Sequence, residues 1–326
     1  MATGRVTIRD VARAAGVSPT TVSHALSGRG RVNEQTRSLV LETVQALRYR
    51  ANPLARNLRH ERFGAMGLYL PERSLSLQFY IDLALAASQT AFAVDSGLTL
   101  LPPTSDPDDV LRLPLDGVIV AEPVVDDPVV DGLVASDLPV VMCEAAEYPS
   151  GPNVAVIDNE HGIAMKELLD HLAFQGAQDI AVVGAHDSIW WSRLVRRASD
   201  RWASRSGRRI RWSTIPFACS LSEAHDEVEA VFAEAVPDAV VIAQQGLAPA
   251  ALAAAAERNL SVPGDLLVAC GVDSPDLELV SPSVTAIDLH PTRCGELAAG
   301  LLLGTVPGPR AKLRPTLHVR SSTQRR

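Results

Sequence analysis

Residues 9–26, RDVARAAGVSPTTVSHAL, restrict the fold more than any other stretch, because two short helical patterns meet there at a Gly-Val-Ser-Pro corner. Ile8, Val11, Ala12 and Ala15 recur at the i, i+3, i+4, i+7 spacing of one helix face, with Thr7 positioned as the N-cap. Gly16 supplies the stop. Ser18 then caps a second helix with Pro19 at its first position, where no N–H is needed, and Val22, Ala25 and Leu26 form its inward stripe. A third helix, capped by Asn33 and carrying Leu39, Val40, Val44 and Leu47, is expected to close a small core. Two helices joined by a short Gly-containing turn describe a helix-turn-helix.

In that motif the second helix lies in the major groove of DNA and its outward residues reach base edges, which selects Pro19, Thr20, Ser23 and His24. Arg9 and Arg31 flank the groove, and Thr7, Ser18 and Thr21 suit phosphate oxygens, whose contacts set register without reading sequence. Charge supports this. Residues 1–62 hold eleven arginines against four acidic residues, a net of +7, while the rest of the chain holds 19 basic and 34 acidic residues, a net of −15. A basic head on an acidic body is the pattern of a chain in which one segment alone meets a polyanion.

In the next segment, YRANPLARNLRHERFG, Asn52 and Pro53 predict a helix of about two turns, too short to be stable alone in water. Two readings stay open from the residues: a linker that folds only when its apolar side is covered, or a loose tether. The run from Thr7 to Arg59 resembles the DNA-binding headpiece and hinge of the lactose-repressor (LacI/GalR) family of bacterial transcription regulators, without a gap. The resemblance implies that Leu58 wedges into the minor groove at the operator centre beside its dimer mate, with Asn52, Ala55 and Arg56 lining the same groove. His24 stands where many members carry arginine; the purine-repressor branch is closer here.

From Gly64 onward, AMGLYL, GLTLL, DGVIVA, LPVVM, DIAVVG, DAVVIA and DLLVACG read as buried parallel strands, separated by helical patterns such as 162–175 and 248–259. Strand-helix alternation of this length indicates doubly wound sheets in two lobes, with ligands expected at the carboxyl ends of the strands. This body also resembles the family's effector domain, similar to periplasmic sugar-binding proteins: two lobes, three crossings and a cleft. The resemblance implies effector contacts at Arg193 in SRLVRRA, where Arg196 replaces the usual glycine, and at Asp273 in the Gly-x-Asp run. It implies further contacts at Phe79 and Tyr80 of QFY, at Asp158 of the Asp-Asn-x-x-Gly pattern, and at Gln245, which with Gln244 replaces Asn-Asp. Trp190 and Trp191 are a pair of which one is expected to face the cleft, Trp190 being counted among the contacts. Such a set suits a sugar or nucleoside-like ligand, since a charged fork fixes polar edges while an aromatic plate covers an apolar face.

No Gly-x-Ser-x-Gly, His-Glu-x-x-His, Walker loop or Cys-x-x-Cys occurs, so neither catalysis, a cofactor nor a metal is expected. Cys143, Cys219, Cys270 and Cys294 read as buried free thiols. With 47% hydrophobic residues, no long uninterrupted apolar run and no apolar N-terminal stretch, the chain is read as globular, cytoplasmic and without a membrane partner. The expected architecture is a small all-α helix-turn-helix headpiece (1–50), a hinge (51–62), and an α/β two-lobed periplasmic-binding-protein-like domain (63–326) of doubly wound parallel sheets. The lobes are drawn at 63–158 with 289–326, and at 159–288. The expected function is a homodimeric regulator, a repressor, that binds a pseudo-palindromic DNA operator under the control of a small-molecule effector. The rivals are a regulator with a vestigial cleft, and a solute-binding protein or sugar-modifying enzyme on the same fold.

Overall fold

The computed structural model describes residues 6–27, 31–49, 62–70, 77–144 and 151–325. The chain forms two compact units, Met1–Gly64 and Ala65–Arg326. In the first, helices α1 (Ile8–Ala15), α2 (Pro19–Ser27) and α3 (Glu34–Ala46) surround one small core. The Asp10 carboxylate accepts from both the backbone N–H (2.9 Å) and the hydroxyl (2.6 Å) of Thr7, fastening the start of α1. Gly16 ends α1 in the left-handed region at φ 66°, which a side chain would strain. The Asn33 side-chain oxygen accepts from the Thr36 N–H at 2.7 Å and caps α3.

Val11, Ala12, Ala15, Val22, Ala25 and Val40 are the buried centre of this unit. Two expected core residues are not: Leu26 is 37% exposed and Leu39 46%. Helical geometry explains both, because Val22 and Ala25 hold the inward line of α2 and Val40 that of α3, so the adjacent residue in each is turned about 100° aside.

The second unit comprises β1 (Ala65–Tyr69), α4 (Gln78–Phe92), β2 (Gly97–Leu101), α5 (Asp108–Leu111), β3 (Val118–Val120), α6 (Pro128–Ala135), β4 (Val140–Met142), β5 (Val154–Asp158), α7 (His161–Phe174) and β6 (Asp179–Gly184). It continues with α8 (Trp190–Ser206), β7 (Arg209–Thr214), α9 (Leu221–Glu234), β8 (Ala239–Ile242), α10 (Ala248–Glu257), β9 (Leu267–Cys270), α11 (Asp276–Leu279), β10 (Thr285–Asp288), α12 (Pro291–Leu303), β11 (Arg310–Lys312) and β12 (Thr316–His318). One lobe is a sheet in the order β11-β5-β4-β3-β1-β2 and the other a sheet in the order β12-β10-β9-β8-β6-β7. Every pairing is parallel except β10 with β12.

All seven apolar runs are strands. The sheets are parallel as expected, with β12 added as one antiparallel edge. One expectation needs correction: residues from 316 onward belong to the second lobe rather than the first. The reason is packing: Ser322 and Thr323 are buried, and their hydroxyls bond Val268 O (2.6 Å) and Thr285 Oγ1 (2.6 Å).

The chain passes between lobes after β5, after β10 and after β11. The first two crossings repeat one turn. Asp158 accepts from the Glu160 N–H at 3.0 Å and Asp288 from the His290 N–H at 2.7 Å, and both Glu160 and His290 are left-handed, at φ 47° and 52°. Asp158 therefore shapes a crossing.

In the first lobe α12 lies against α4 so closely that a Cβ on Gly295 would stand 2.1 Å from the Leu83 carbonyl oxygen and 3.0 Å from the Ala87 nitrogen. Gly295→Ala would gain about 1 kcal/mol of helix propensity but must push both helix backbones apart, at about 1–3 kcal/mol or more. The clash wins, because a backbone oxygen at that distance cannot swing away. Thermal melting is expected to show Gly295→Ala several degrees below the parent chain, and an unchanged or raised Tm would refute this packing.

Candidate functional site

The first unit presents one polar face. Thr7, Arg9, Ser18, Pro19, Thr20, His24 and Arg31 are exposed, and Thr21 and Ser23 half-buried. Two predicted phosphate contacts are already engaged, since the Ser18 hydroxyl oxygen accepts from the Thr21 N–H (3.0 Å) and pairs with the Thr21 hydroxyl (2.9 Å). Ser18 is thus the cap of α2, as the sequence indicates. The hinge residues Asn52, Ala55, Arg56 and Leu58 lie outside the described residues.

In the second unit the two carboxyl edges face each other across a narrow, mostly closed cavity of about 40 Å³. That is room for a few waters. The lobes are bonded around it. The Val125 N–H donates to Ser188 O at 2.7 Å, Val124 and Ile189 form an antiparallel bridge, and the Phe79 N–H donates to Gln245 Oε1 at 2.9 Å. The Gln245 amide in turn donates to Asp273 O at 2.8 Å.

Of the sequence-derived effector residues, Phe79, Tyr80 and Gln245 line this cavity. The other four do not. Asp158 turns the crossing and lies 4.0 Å from the Lys312 ammonium. Trp190 packs on the apolar cluster between the first sheet and α6, while Trp191 lines the cavity, so the cleft-facing member of the pair is the second. Arg193 donates from Nε to Asp187 O (3.2 Å) with its guanidinium 5.2 Å from the Trp190 ring centre. The replacement Arg196 pairs with Asp187 (3.2 Å) and stacks on Trp212 at 5.6 Å.

Asp273 is consumed by the C-terminal segment. Arg320 grips both its oxygens (2.9 and 2.8 Å), and His318 bonds one of them at 2.8 Å. Burial, the largest single influence, pushes this carboxyl up, but the bonds from Arg320 and His318 together outweigh it and hold it below the usual carboxylate range. Asp273→Ala removes the main partner of the Arg320 guanidinium, which keeps Glu278 at 2.9 Å and Val284 O at 2.8 Å, a loss of about 1.5–3 kcal/mol. Denaturant unfolding is expected to register that loss with no ligand present; a residue used only for an effector would leave stability unchanged.

Glu144 and His161, polar residues of the cavity lining, are absent from the sequence-derived set. Glu122 and Glu144 are the first polar residues beyond β3 and β4, and Asn159 and His161 follow β5; all four are buried. Glu122 accepts from the Tyr80 hydroxyl and the Trp191 indole. Glu144 accepts from the Asn159 amide at 2.6 Å, with His161 Nε2 3.4 Å from its other oxygen. Their signal in the sequence is the acid that ends each of the runs DGVIVAE and LPVVMCE, where a parallel sheet delivers its ligand contacts.

Burial, reinforced by the Glu144 charge and only partly opposed by the Trp191 bond, pushes the Glu122 carboxyl well above its ordinary value. The unfolded carboxyl ionises near 4.5, whereas the folded one resists ionisation, so this group weakens the fold increasingly as pH rises above that value. Glu122→Gln is expected to raise Tm at pH 8 and to flatten the fall of Tm between pH 5 and pH 8. An identical pH profile in the two proteins would show that Glu122 titrates normally. Nearby, the Cys143 thiol is pushed well up by its bond to Cys294 and by burial; all four cysteines are free and buried.

Residues 7–52 match the description "Bacterial regulatory proteins, lacI family", and residues 169–325 match "Periplasmic binding protein-like domain". Catabolite control protein A of Priestia megaterium is 30% identical over 311 residues, covering 91% of each chain. The chain belongs to the lacI family of bacterial regulatory proteins. This regulator is also 27% identical over 310 residues to the HTH-type transcriptional regulator RegA of Clostridium saccharobutylicum, again over 91% of each chain. Its fold matches that of the lac repressor dimer bound to operator and the anti-inducer ONPF, with a TM-score of 0.80, 22% identity and coverage of 98% and 99% of the two chains. It also matches the regulator CelR in complex with cellobiose, with a TM-score of 0.71, 21% identity and coverage of 98% and 100%. The protein is accordingly a DNA-binding transcriptional regulator of the lacI family, and that family consists of regulators rather than enzymes. Among the described residues no helix is long and apolar enough to cross a membrane.

Proposed function

We propose that this regulator is a repressor that binds a pseudo-palindromic operator as a homodimer, reads each half-site with α2, and is controlled by a small molecule held between the lobes. One observation carries the reading. The inward stripe of the headpiece is used up in its own core, which leaves Pro19, Thr20 and His24 exposed on the second helix of a segment with a net charge of +7. A single headpiece reads only half a site, so two-fold symmetry follows from the need to read both. The second unit supports a dimer: Ile81 and Leu85 on α4 and Leu100 on the edge strand β2 are exposed, with Leu85 at 57%. An operator and an anti-inducer accompany the lac repressor dimer, and a sugar accompanies CelR. Under this reading the domains divide at 1–50, 51–62 and 63–326, with Leu58, Asn52, Ala55 and Arg56 serving the operator centre.

The effector acts by changing how the lobes close, and the bonds from Phe79 to Gln245 and from Val125 to Ser188 are those that closure makes or breaks. A second reading, a vestigial cleft, is favoured by the small size of the cavity. Calorimetry with small molecules separates the two.

The test of DNA reading is a pair of anisotropy titrations, on operator and on scrambled duplex of equal length. Thr20→Ala and His24→Ala are each expected to reduce discrimination between them by about 1–3 kcal/mol, as for loss of a base contact. Arg9→Ala is expected to weaken both duplexes alike and lower the salt slope by about 1, as for loss of a phosphate contact. If the α2 substitutions weakened operator and scrambled DNA equally, α2 would not be the reading helix.

A further inference from the structure

Aromatic and aliphatic side chains make up most of the wall of the interlobe cavity, with rings from Phe79, Trp191 and Phe217 and aliphatic groups such as Met165, Ile287 and Leu289. Its polar side chains are those of Tyr80, Glu144, His161, Gln244 and Gln245. Four of the five are bonded inside the protein. The Tyr80 hydroxyl donates to Glu122, and Glu144 accepts from the Asn159 amide at 2.6 Å. Gln244 accepts from the Ala218 N–H at 2.9 Å and donates to Pro216 O at 3.1 Å, while Gln245 accepts from the Phe79 N–H and donates to Asp273 O. Among the described residues no lysine or arginine lines the cavity.

His161 is the exception. It is only 5% exposed, and its Nε2 has no hydrogen-bond partner. Glu144 Oε2 stands 3.4 Å from that nitrogen without forming such a bond, and since Glu144 is itself a cavity residue, Nε2 is the end of the ring on the cavity side. A buried polar atom left unpaired is unfavourable, so this nitrogen is open to a group supplied from the cavity. The Trp191 ring lies 6.4 Å from the His161 ring, centre to centre, which places an aromatic plate beside the one vacant polar anchor.

We propose that the effector held between the lobes is a small neutral aromatic molecule with one hydroxyl, a phenol, its ring against Trp191 and Phe79 and its hydroxyl bonded to His161 Nε2. This rests on the reading of the cleft as an effector site and narrows the ligand class within it. A hydroxyl both donates and accepts, so it suits either tautomer of the imidazole, and aromatic walls with one polar anchor suit a ring that carries one polar group. A sugar or nucleoside, the class expected from the sequence, brings several hydroxyls that each need a buried partner, whereas the lining offers one buried side-chain atom without one. Arg193 and Asp273, on which sugar recognition would lean, bond elsewhere and do not line the cavity. A carboxylate or phosphate would be buried beside Glu144 with no cation to meet it. At about 40 Å³ the closed cavity holds waters but not a ring, so the phenol enters by parting Phe79 from Gln245, two lining residues whose bond joins the lobes.

Isothermal titration calorimetry on the full chain at pH 7.5 compares phenol with benzene and p-cresol with toluene, pairs that differ only in the hydroxyl, beside benzoate, glucose and adenosine. At least one phenol is expected to give saturable heat, and its hydroxyl-free partner to bind about tenfold more weakly, as for the loss of one hydrogen bond. Benzoate, glucose and adenosine are expected to bind more weakly still. His161→Phe, with its fold checked by circular dichroism, is expected to abolish the preference for the hydroxyl. Thermal shift on the unaltered chain with the same compounds gives a second readout that needs no variant. The proposal is overturned if no phenol binds, if a hydroxyl-free partner or benzoate binds as well as its phenol, if glucose or adenosine binds more tightly than either phenol, or if the folded variant keeps the preference. An anisotropy titration on operator DNA with the same preparation distinguishes the two levels of failure. Intact operator binding beside absent phenol binding removes the ligand class and leaves the regulator; loss of both removes the wider reading.

Discussion

A parallel sheet sends its strands in one direction, so whatever follows them must collect at one edge, and two such edges face each other in this protein. Glu122 leaves β3, Glu144 leaves β4, His161 follows β5, Gln244 and Gln245 follow β8, and Gly271 leaves β9. The crossings after β5 and β10 hold the edges together, each fastened by an aspartate that accepts the N–H two residues on. The polar character of the cleft is therefore decided by the few residues just beyond each apolar run. Everything proposed for the site depends on that arrangement.

Carboxylates serve different ends within the second unit's cleft region, structural and otherwise. Asp273 is ringed by Arg320, His318 and the Ser274 N–H, its acceptor capacity is filled, and the result ties the C-terminal segment to the second sheet. Glu122 and Glu144 are more deeply buried: Glu122 accepts from the Tyr80 hydroxyl on one oxygen and has no partner on the other, while Glu144 accepts from the Asn159 amide and has His161 Nε2 at 3.4 Å. A filled network stabilises a fold and an unfilled one favours a ligand.

In the headpiece the division is by face. Small apolar residues fill the inner side, and Pro19, Thr20 and His24 are exposed on the outer side of α2. The charge balance adds direction: a head of +7 draws a polyanion and a remainder of −15 repels it, so attraction is confined to the segment that can read bases.

The headpiece is legible in the sequence because its signals are local. Caps, the Gly16 stop and a 3.6-residue stripe act within one turn of helix and do not depend on distant partners, and the seven apolar strands announce themselves in the same way. Leu26 and Leu39 escape that logic because the stripe shows that a helix has an inner face but not where that face ends. The cleft required the tertiary structure. Whether Trp190 or Trp191 turns inward, and whether Asp273 serves a ligand or Arg320, depends on groups far away in the chain. A hydrogen bond between residues 47 positions apart leaves no periodic trace, because only folding brings its two ends within 3 Å.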